Sequence, residues 1–166
     1  MAELTALESK IGEVLGLAMA AQDATQKVTK LVEDEGDHDD LRTTLQRMAK
    51  EAKETEARTT DLASELDGKK TAILEKARET KQEAVEMMST YLGDDADALD
   101  GFEFLTMAEA GEVGHWSVVG TMNQRGNVPG LQELVAWATP IQQRHFQQTL
   151  AGSVELAADE DPNEPA

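Results

Sequence analysis

The sequence has no cysteine, few aromatic residues and no long apolar run, and each shortage excludes a class of protein. Without cysteine the chain can form no disulfide, thiolate metal site or cysteine nucleophile. Aromatic residues make up only 4% of the chain, so a core must be built from aliphatic side chains and methionine. No segment approaches the roughly 18 apolar residues of a membrane-spanning helix. The start, MAELTALESK, lacks the basic region of a signal peptide. We therefore expect a soluble, cytoplasmic protein that does not associate with membranes.

Positive charge is also scarce, with 15 Lys and Arg against 33 Asp and Glu and a formal net charge of −18. Such a chain repels nucleic acids and anionic membrane surfaces, so neither is an expected partner. Acidity favours cations or a basic protein partner, and assembly into a homo-oligomer stays open. An acidic surface is equally typical of proteins from salt-adapted organisms, so charge alone does not identify a partner.

Strong helix formers are abundant, and apolar residues recur at steps of three and four, as in Leu4, Leu7, Ile11 and Leu15. This pattern predicts an all-α domain over residues 1–156. The expected helices span about 4–32, 39–66, 69–92, 100–124 and 129–156. The acidic segment 157–166 contains two prolines and is predicted to be a disordered tail.

The order of these helices indicates a topology. If each short connection reverses the chain, the second and fourth helices run parallel, and the third helix joins them. That arrangement is a ferritin-like up-down-down-up four-helix bundle with one extra crossover helix. A different assembly, in which the first two helices form an intermolecular coiled coil, is the alternative.

Polar residues interrupt the apolar pattern near the helix midpoints. Glu112 and Gln142 each lie 15 residues from Asn127 in the last turn, and Glu109 and His145 each lie 18 residues from it. Around the first turn, Gln22 and Glu51 lie 14 and 15 residues from Gly36. At 1.5 Å per residue these positions are roughly 20–25 Å from their turns, so they are expected at one level of the bundle.

Two of these helices carry pairs at i,i+3 spacing, which places both side chains on one helical face. The pairs are Glu112 with His115 and Gln142 with His145. Di-iron bundles use a Glu-x-x-His pair on each of two helices and one Glu on each of the others. One such pair is intact here, and the second has a neutral amide in place of the acid.

Several segments resemble the YciF-type ferritin-like stress-protein family. They are the hairpin at about 21–66, the Leu-Asp-Gly-Lys-Lys segment 66–70 with its short following helix, Glu112-Val-Gly-His115, and Val119-Gly-Thr-Met122. The resemblance covers roughly residues 22–156.

The resemblance implies that Gln22 and Gln142 stand where the family has glutamates, and that Glu51 lies near a second-helix glutamate. It also implies iron or manganese bound by Glu112, His115, His145 and Glu51, with Gln142 and Gln22 as weak ligands or supporting residues. A stress or metal-handling role would follow.

A second interpretation is equally open. The polar residues would then fix helix register in a non-catalytic scaffold that has a vestigial site and no metal, and that binds a basic partner or its own copies. The residues leave open whether the protein is an enzyme.

Overall fold

The computed structural model describes residues 2–36 and 38–163. The regular secondary structure in this part of the chain is all α-helix, without strands. Five helices follow one another: α1 (Ala6–Glu35), α2 (Asp39–Glu65), α3 (Lys70–Tyr91), α4 (Ala98–Gly126) and α5 (Leu131–Asp159). Each begins and ends within three residues of the predicted bounds. The all-α prediction is therefore confirmed.

Two of the helices, α1 and α4, begin at capping residues in the sequence. Thr5 and Glu8 form a reciprocal capping box at the start of α1, and Asp97 and Asp100 form another at the start of α4. In each box a side chain accepts a hydrogen bond from a backbone N–H that has no partner within the helix. Gly36 ends α1 with a φ of 114°, a conformation that glycine adopts without strain.

The predicted tail begins too early. α5 continues to Asp159, because Leu156 is buried and anchors its last turn. Residues 160–163 are exposed and lie outside the helix, and 164–166 are not among the described residues. Pro140 lies within α5 without ending it.

Contacts between the helices give their order and directions. α1 and α4 are antiparallel, since Leu7 packs on Gly126 and Val28 on Gly101. α4 and α5 are antiparallel as well, with Thr106 and Ser153 hydrogen-bonded at 3.2 Å. α5 also contacts α2, which pairs with α1, so these four helices surround a common core.

α3 lies on the outer side of α1 and runs parallel to it. Gly12 and Gly16 allow this close approach, because a Cβ atom at Gly12 would lie 2.8 Å from the Cβ of Lys76. One at Gly16 would lie 2.7 Å from the Cβ of Thr80 and nearer still to a backbone carbonyl of α3. The glycines therefore set the distance between the two helices.

The core is divided into two apolar clusters. One contains Ile11, Trp116 and Leu131 and occupies the end of the bundle where α1 begins. The other contains Val28, Leu45 and Phe102 and occupies the opposite end. Between them lie five polar residues, here called the polar layer: Glu51, Glu109, Glu112, Gln142 and His145.

We expect Gly16→Ala to destabilise the fold by about 1–3 kcal/mol, because the added methyl group meets a backbone carbonyl of α3, which cannot turn aside as a flexible side chain can. The free energy of unfolding in urea would measure this. Gly114→Ala is the matched control, since nothing lies within 4 Å of a Cβ there. The control should gain up to about 1 kcal/mol from helix propensity. Equal effects of the two substitutions would contradict the proposed packing of α3 on α1.

Candidate functional site: a buried polar layer

The polar layer is assembled from the middle of three helices. α2 contributes Glu51, α4 contributes Glu109 and Glu112, and α5 contributes Gln142 and His145. The four residues of α4 and α5 are each less than 5% exposed, and the side chain of Glu51 is 20% exposed. The i,i+3 spacing on α4 and α5 directs each pair towards the interior.

His145 lies between two carboxylates that come from different helices. Its Nε2 is 2.6 Å from Glu51 Oε2, and its Nδ1 is 3.3 Å from Glu109 Oε2. Burial alone would lower the pKa of His145, but the contacts with Glu109 and Glu51 outweigh burial and raise that pKa. The ring is therefore favoured as an imidazolium that links α2, α4 and α5.

Glu51 is held as an anion by two cationic partners. Arg144 contacts its Oε1 at 2.5 Å, while His145 contacts the other oxygen. Burial would raise the pKa of Glu51, yet the bonds from His145 and Arg144 lower it below the ordinary value. Arg144 lies at the edge of the layer, where its guanidinium also reaches solvent.

Glu112 has the opposite behaviour. Burial, together with the neighbouring charge of Glu109, raises the pKa of Glu112 well above its ordinary value. Gln142 Nε2 donates a hydrogen bond to Glu112 Oε2. With Glu112 neutral, the charges of the Glu51 and Glu109 carboxylates are balanced only when Arg144 at the edge of the layer is counted together with His145.

Glu109 is the least satisfied member of the layer. Its approach to His145 is within ion-pair distance, but it does not have hydrogen-bond geometry. Among the described residues, none donates a hydrogen bond to the buried Oε2. Glu109 and Glu112 also line a cavity of about 200 Å³ that opens between α1, α3 and α4.

The structure brings together four of the six residues predicted as metal ligands. Glu51, Glu112, Gln142 and His145 all lie in the polar layer. The expected meetings of Glu112 with Gln142 and of Glu109 with His145 are confirmed by direct contacts. Counting residues from Asn127 therefore identified both pairs.

Gln22 and His115 contact other groups. Gln22 is half-buried and donates to Glu56 Oε2 at 2.5 Å, so its amide is bonded to a residue outside the polar layer. His115 is 38% exposed, with its Nδ1 3.3 Å from Glu13 Oε2. His115 lies beside the buried face of α4, whereas Glu112 lies on it.

Three residues that contact the predicted ligands were not included in the predicted ligand set. Glu109 lies one turn before Glu112 on the same face, and that spacing was a usable signal. Arg144 precedes His145 and reaches α2 from the edge of α5. The pairing of Glu13 with His115 depends on how α1 and α4 cross, and no local pattern encodes that crossing.

This arrangement does not fit a metal centre. Within residues 2–36 and 38–163, no group of three His, Cys, Asp or Glu side chains is placed to hold an ion. Both nitrogens of His145 face carboxylates, and Glu112 is bonded to Gln142. What the arrangement can do chemically is hold two protons, one on His145 and one on Glu112.

Comparisons of the chain with protein-family models, curated proteins and solved structures found no match. Over the described residues, none of the helices combines the length and apolar character needed to cross a bilayer. The geometry of the polar layer is therefore the basis for a functional proposal.

The protons held by the layer predict how stability depends on pH. A group whose pKa is raised by folding stabilises the fold below its unfolded pKa, and that contribution is lost as pH rises through its folded pKa. Glu112→Gln mimics the neutral acid, so its stability relative to the native protein should grow by about 1.4 kcal/mol per pH unit between the unfolded and the folded pKa of Glu112 and be constant above the folded pKa. Urea unfolding between pH 5 and pH 9 would measure this difference.

Glu103→Gln serves as the control, because it removes one carboxylate from an exposed position of the same helix. Its stability relative to the native protein should be nearly constant over this pH range. A Glu112→Gln difference that is equally constant would show that Glu112 is ionised in the folded state.

Proposed function

We propose that the protein is a non-catalytic helical scaffold whose polar layer fixes the relative positions of its helices. The observation that carries this proposal is the contact of His145 with Glu51 on α2 and Glu109 on α4. Both ring nitrogens are used, and each carboxylate comes from a different helix. A basic protein, or a second copy of the chain, is the partner class that the acidic exterior favours.

The cost of breaking a buried ion network explains how the layer would fix register. Sliding α5 by one turn along α2 would move His145 about 5.4 Å from Glu51 and leave two carboxylates buried without a counter-ion. Apolar contacts tolerate such a shift more easily, because one aliphatic side chain can replace another. The layer would therefore select one alignment among several of similar apolar burial.

The helix directions support a ferritin-like topology as part of this proposal. α1 and α4 are antiparallel, α4 and α5 are antiparallel, and α3 runs parallel to α1 on the outside. In a ferritin-like bundle, α3 would be the crossover that joins two helical hairpins. The resemblance to the YciF-type family is compatible with this arrangement.

We expect His145→Ala to lower the free energy of unfolding by about 3–5 kcal/mol near neutral pH, because it leaves the buried Glu109 without its cation and removes one of the two cationic partners of Glu51. Urea denaturation followed by circular dichroism would measure this loss. His115→Ala is the matched control, and its half-exposed ring should contribute no more than about 0.5 kcal/mol. Equal effects of the two substitutions would contradict a register-fixing role.

Iron or manganese binding is the second candidate, because Glu109 and Glu51 both contact His145 and Glu112 lies beside Glu109. Binding there would require His145 and Glu112 to release their protons, so it would acidify an unbuffered solution. The donor set would be Glu51, Glu109, Glu112 and His145, after a rearrangement of the present contacts.

Metal analysis of protein purified without chelator separates the two candidates. The scaffold proposal predicts no stoichiometric metal and no change in thermal stability on adding Mn(II) or Fe(II). A bound ion at 100 times its dissociation constant would instead add about 2.7 kcal/mol. Stoichiometric iron or manganese that is lost in Glu112→Ala would overturn the scaffold proposal in favour of a metal-binding protein.

A further inference from the structure

A groove runs along α1 between α3 and α4. Both helices make extensive contact with α1 but little contact with each other, so a gap remains between them. The small residues Ala20, Ala21 and Ala24 of α1 form its floor, where there is a cavity of about 200 Å³. Apolar cavities of about 150 Å³ accept a molecule the size of benzene. The groove therefore has room for one large apolar side chain from another molecule.

Large exposed hydrophobic residues are concentrated beside this groove. Six such residues are found in the described part of the chain, and four of them are on α3 or α4: Met87, Tyr91, Met107 and Val118. Met87 and Met107 line the cavity from opposite helices and are 61% and 47% exposed. Contiguous exposed apolar surface is typical of a binding site, and flexible methionine side chains adapt to partners of different shape.

The length of the groove suits a short helix. On α4, the face that carries Phe104 and Met107 continues through Gly111 to Val118, a stretch of roughly 21 Å. One end is closed where the rings of Phe104 and Tyr91 lie 5.7 Å apart. A Cβ atom at Gly111 would meet nothing within 4 Å, so the space beside the middle of this face is open. An amphipathic helix of about four turns has a matching apolar strip.

Acidic residues border the apolar groove. Glu83 precedes Met87 by four residues on α3, and Glu103 precedes Met107 by four residues on α4. Residues four apart share a helical face, so these two exposed carboxylates lie beside the mouth of the groove. Residues 82–124 contain nine Asp and Glu and no Lys or Arg, whereas the whole chain has 15 Lys and Arg for 33 acids. An apolar centre with an acidic border is complementary to an apolar strip with basic flanks.

The lysines that precede the groove on α3 already have acidic partners. Lys76 lies 3.7 Å from Glu79, and Lys81 lies 2.9 Å from Asp23 of α1. On α1, Lys27 is exposed but lies beyond the alanine floor of the groove. Cationic side chains of an incoming molecule therefore meet mainly carboxylates at this surface.

We propose that this groove binds a basic amphipathic helix of a partner protein. One large apolar side chain of that helix enters the cavity, and its neighbours one turn away pack on Met87 and Met107. The Lys and Arg residues of the partner helix face Glu83 and Glu103. This inference rests on the proposed scaffold role for the class of partner, and it adds the surface and the mode of binding.

Charge favours a basic partner over a second copy of the chain. A symmetric dimer uses the same surface patch on both subunits. Here it would bring the acids of residues 82–124 towards the same residues of the second copy, with no Lys or Arg from either segment between them. Like charges brought together across an interface cost free energy, whereas a basic helix is attracted.

Fluorescence anisotropy with labelled synthetic peptides and the full chain would test the proposal at low ionic strength. The probe is a peptide of about 14 leucine and lysine residues with leucines at steps of three and four. Its control has the same composition in an order that gives no apolar face. The amphipathic peptide should bind at one site per chain, about tenfold more tightly than the control. Equal binding of the two peptides, or no binding of the first, would overturn the proposal.

Met107→Lys and Leu150→Lys form a matched pair that locates the site. Met107 and Leu150 are 47% and 45% exposed, and both substitutions add one positive charge, but only Met107 lines the groove. Met107→Lys should weaken binding of the amphipathic peptide about tenfold. Leu150→Lys on α5 changes only the net charge and should weaken binding less than about twofold. Equal effects would indicate adsorption to the acidic surface and would overturn the proposal.

A second matched pair tests the acidic border. Glu83→Gln combined with Glu103→Gln removes two carboxylates beside the groove, and Asp61→Asn combined with Glu65→Gln removes two exposed carboxylates of α2, which does not line it. The first combination should weaken peptide binding about threefold at low salt and reduce its salt dependence. The second should have a smaller effect, and an equal effect would contradict recognition by the groove.

Self-association through the groove is the competing outcome, and light scattering at low and high salt would detect it. A dimer that Met107→Lys dissociates, without binding of the peptide, would overturn the basic partner in favour of a second copy. Met107, Glu83 and Glu103 lie outside the polar layer. Absence of peptide binding would therefore leave the His145→Ala stability result unchanged, and the reverse also holds.

Discussion

A single cation in the middle of the core, the ring of His145, determines the arrangement of charge around it. A buried imidazolium is stabilised by anions at its nitrogens, and Glu51 and Glu109 supply them from two other helices and raise the pKa of His145. A third carboxyl at the same level would leave the layer with excess negative charge. Glu112 is therefore favoured in its neutral form, which accepts a hydrogen bond from Gln142.

The polar layer has a structural consequence for the apolar core. Leucine, valine and phenylalanine fill each end of the bundle, and the layer separates the two apolar clusters. Apolar packing alone would give each end freedom to slide or rotate relative to the other. In the scaffold role proposed above, the ion network limits that freedom by favouring one alignment of α2, α4 and α5.

Much of this arrangement could be predicted from sequence because α4 and α5 form a hairpin with a short turn. Counting outward from Asn127 paired Glu112 with Gln142 and Glu109 with His145, and both contacts are present. Such counting works when the turn fixes the register and the helices stay regular.

The same counting failed where neighbouring helices, and not a turn, decide which residue faces inward. Around Gly36 it placed Gln22 and Glu51 at one level of the bundle, whereas Gln22 contacts Glu56 and Glu51 contacts α5. His115 shares the i,i+3 pattern of a ligand pair, yet it turns towards Glu13 on α1. The crossing of α1 with α2 and α4 controls these partners, and helical periodicity does not report it.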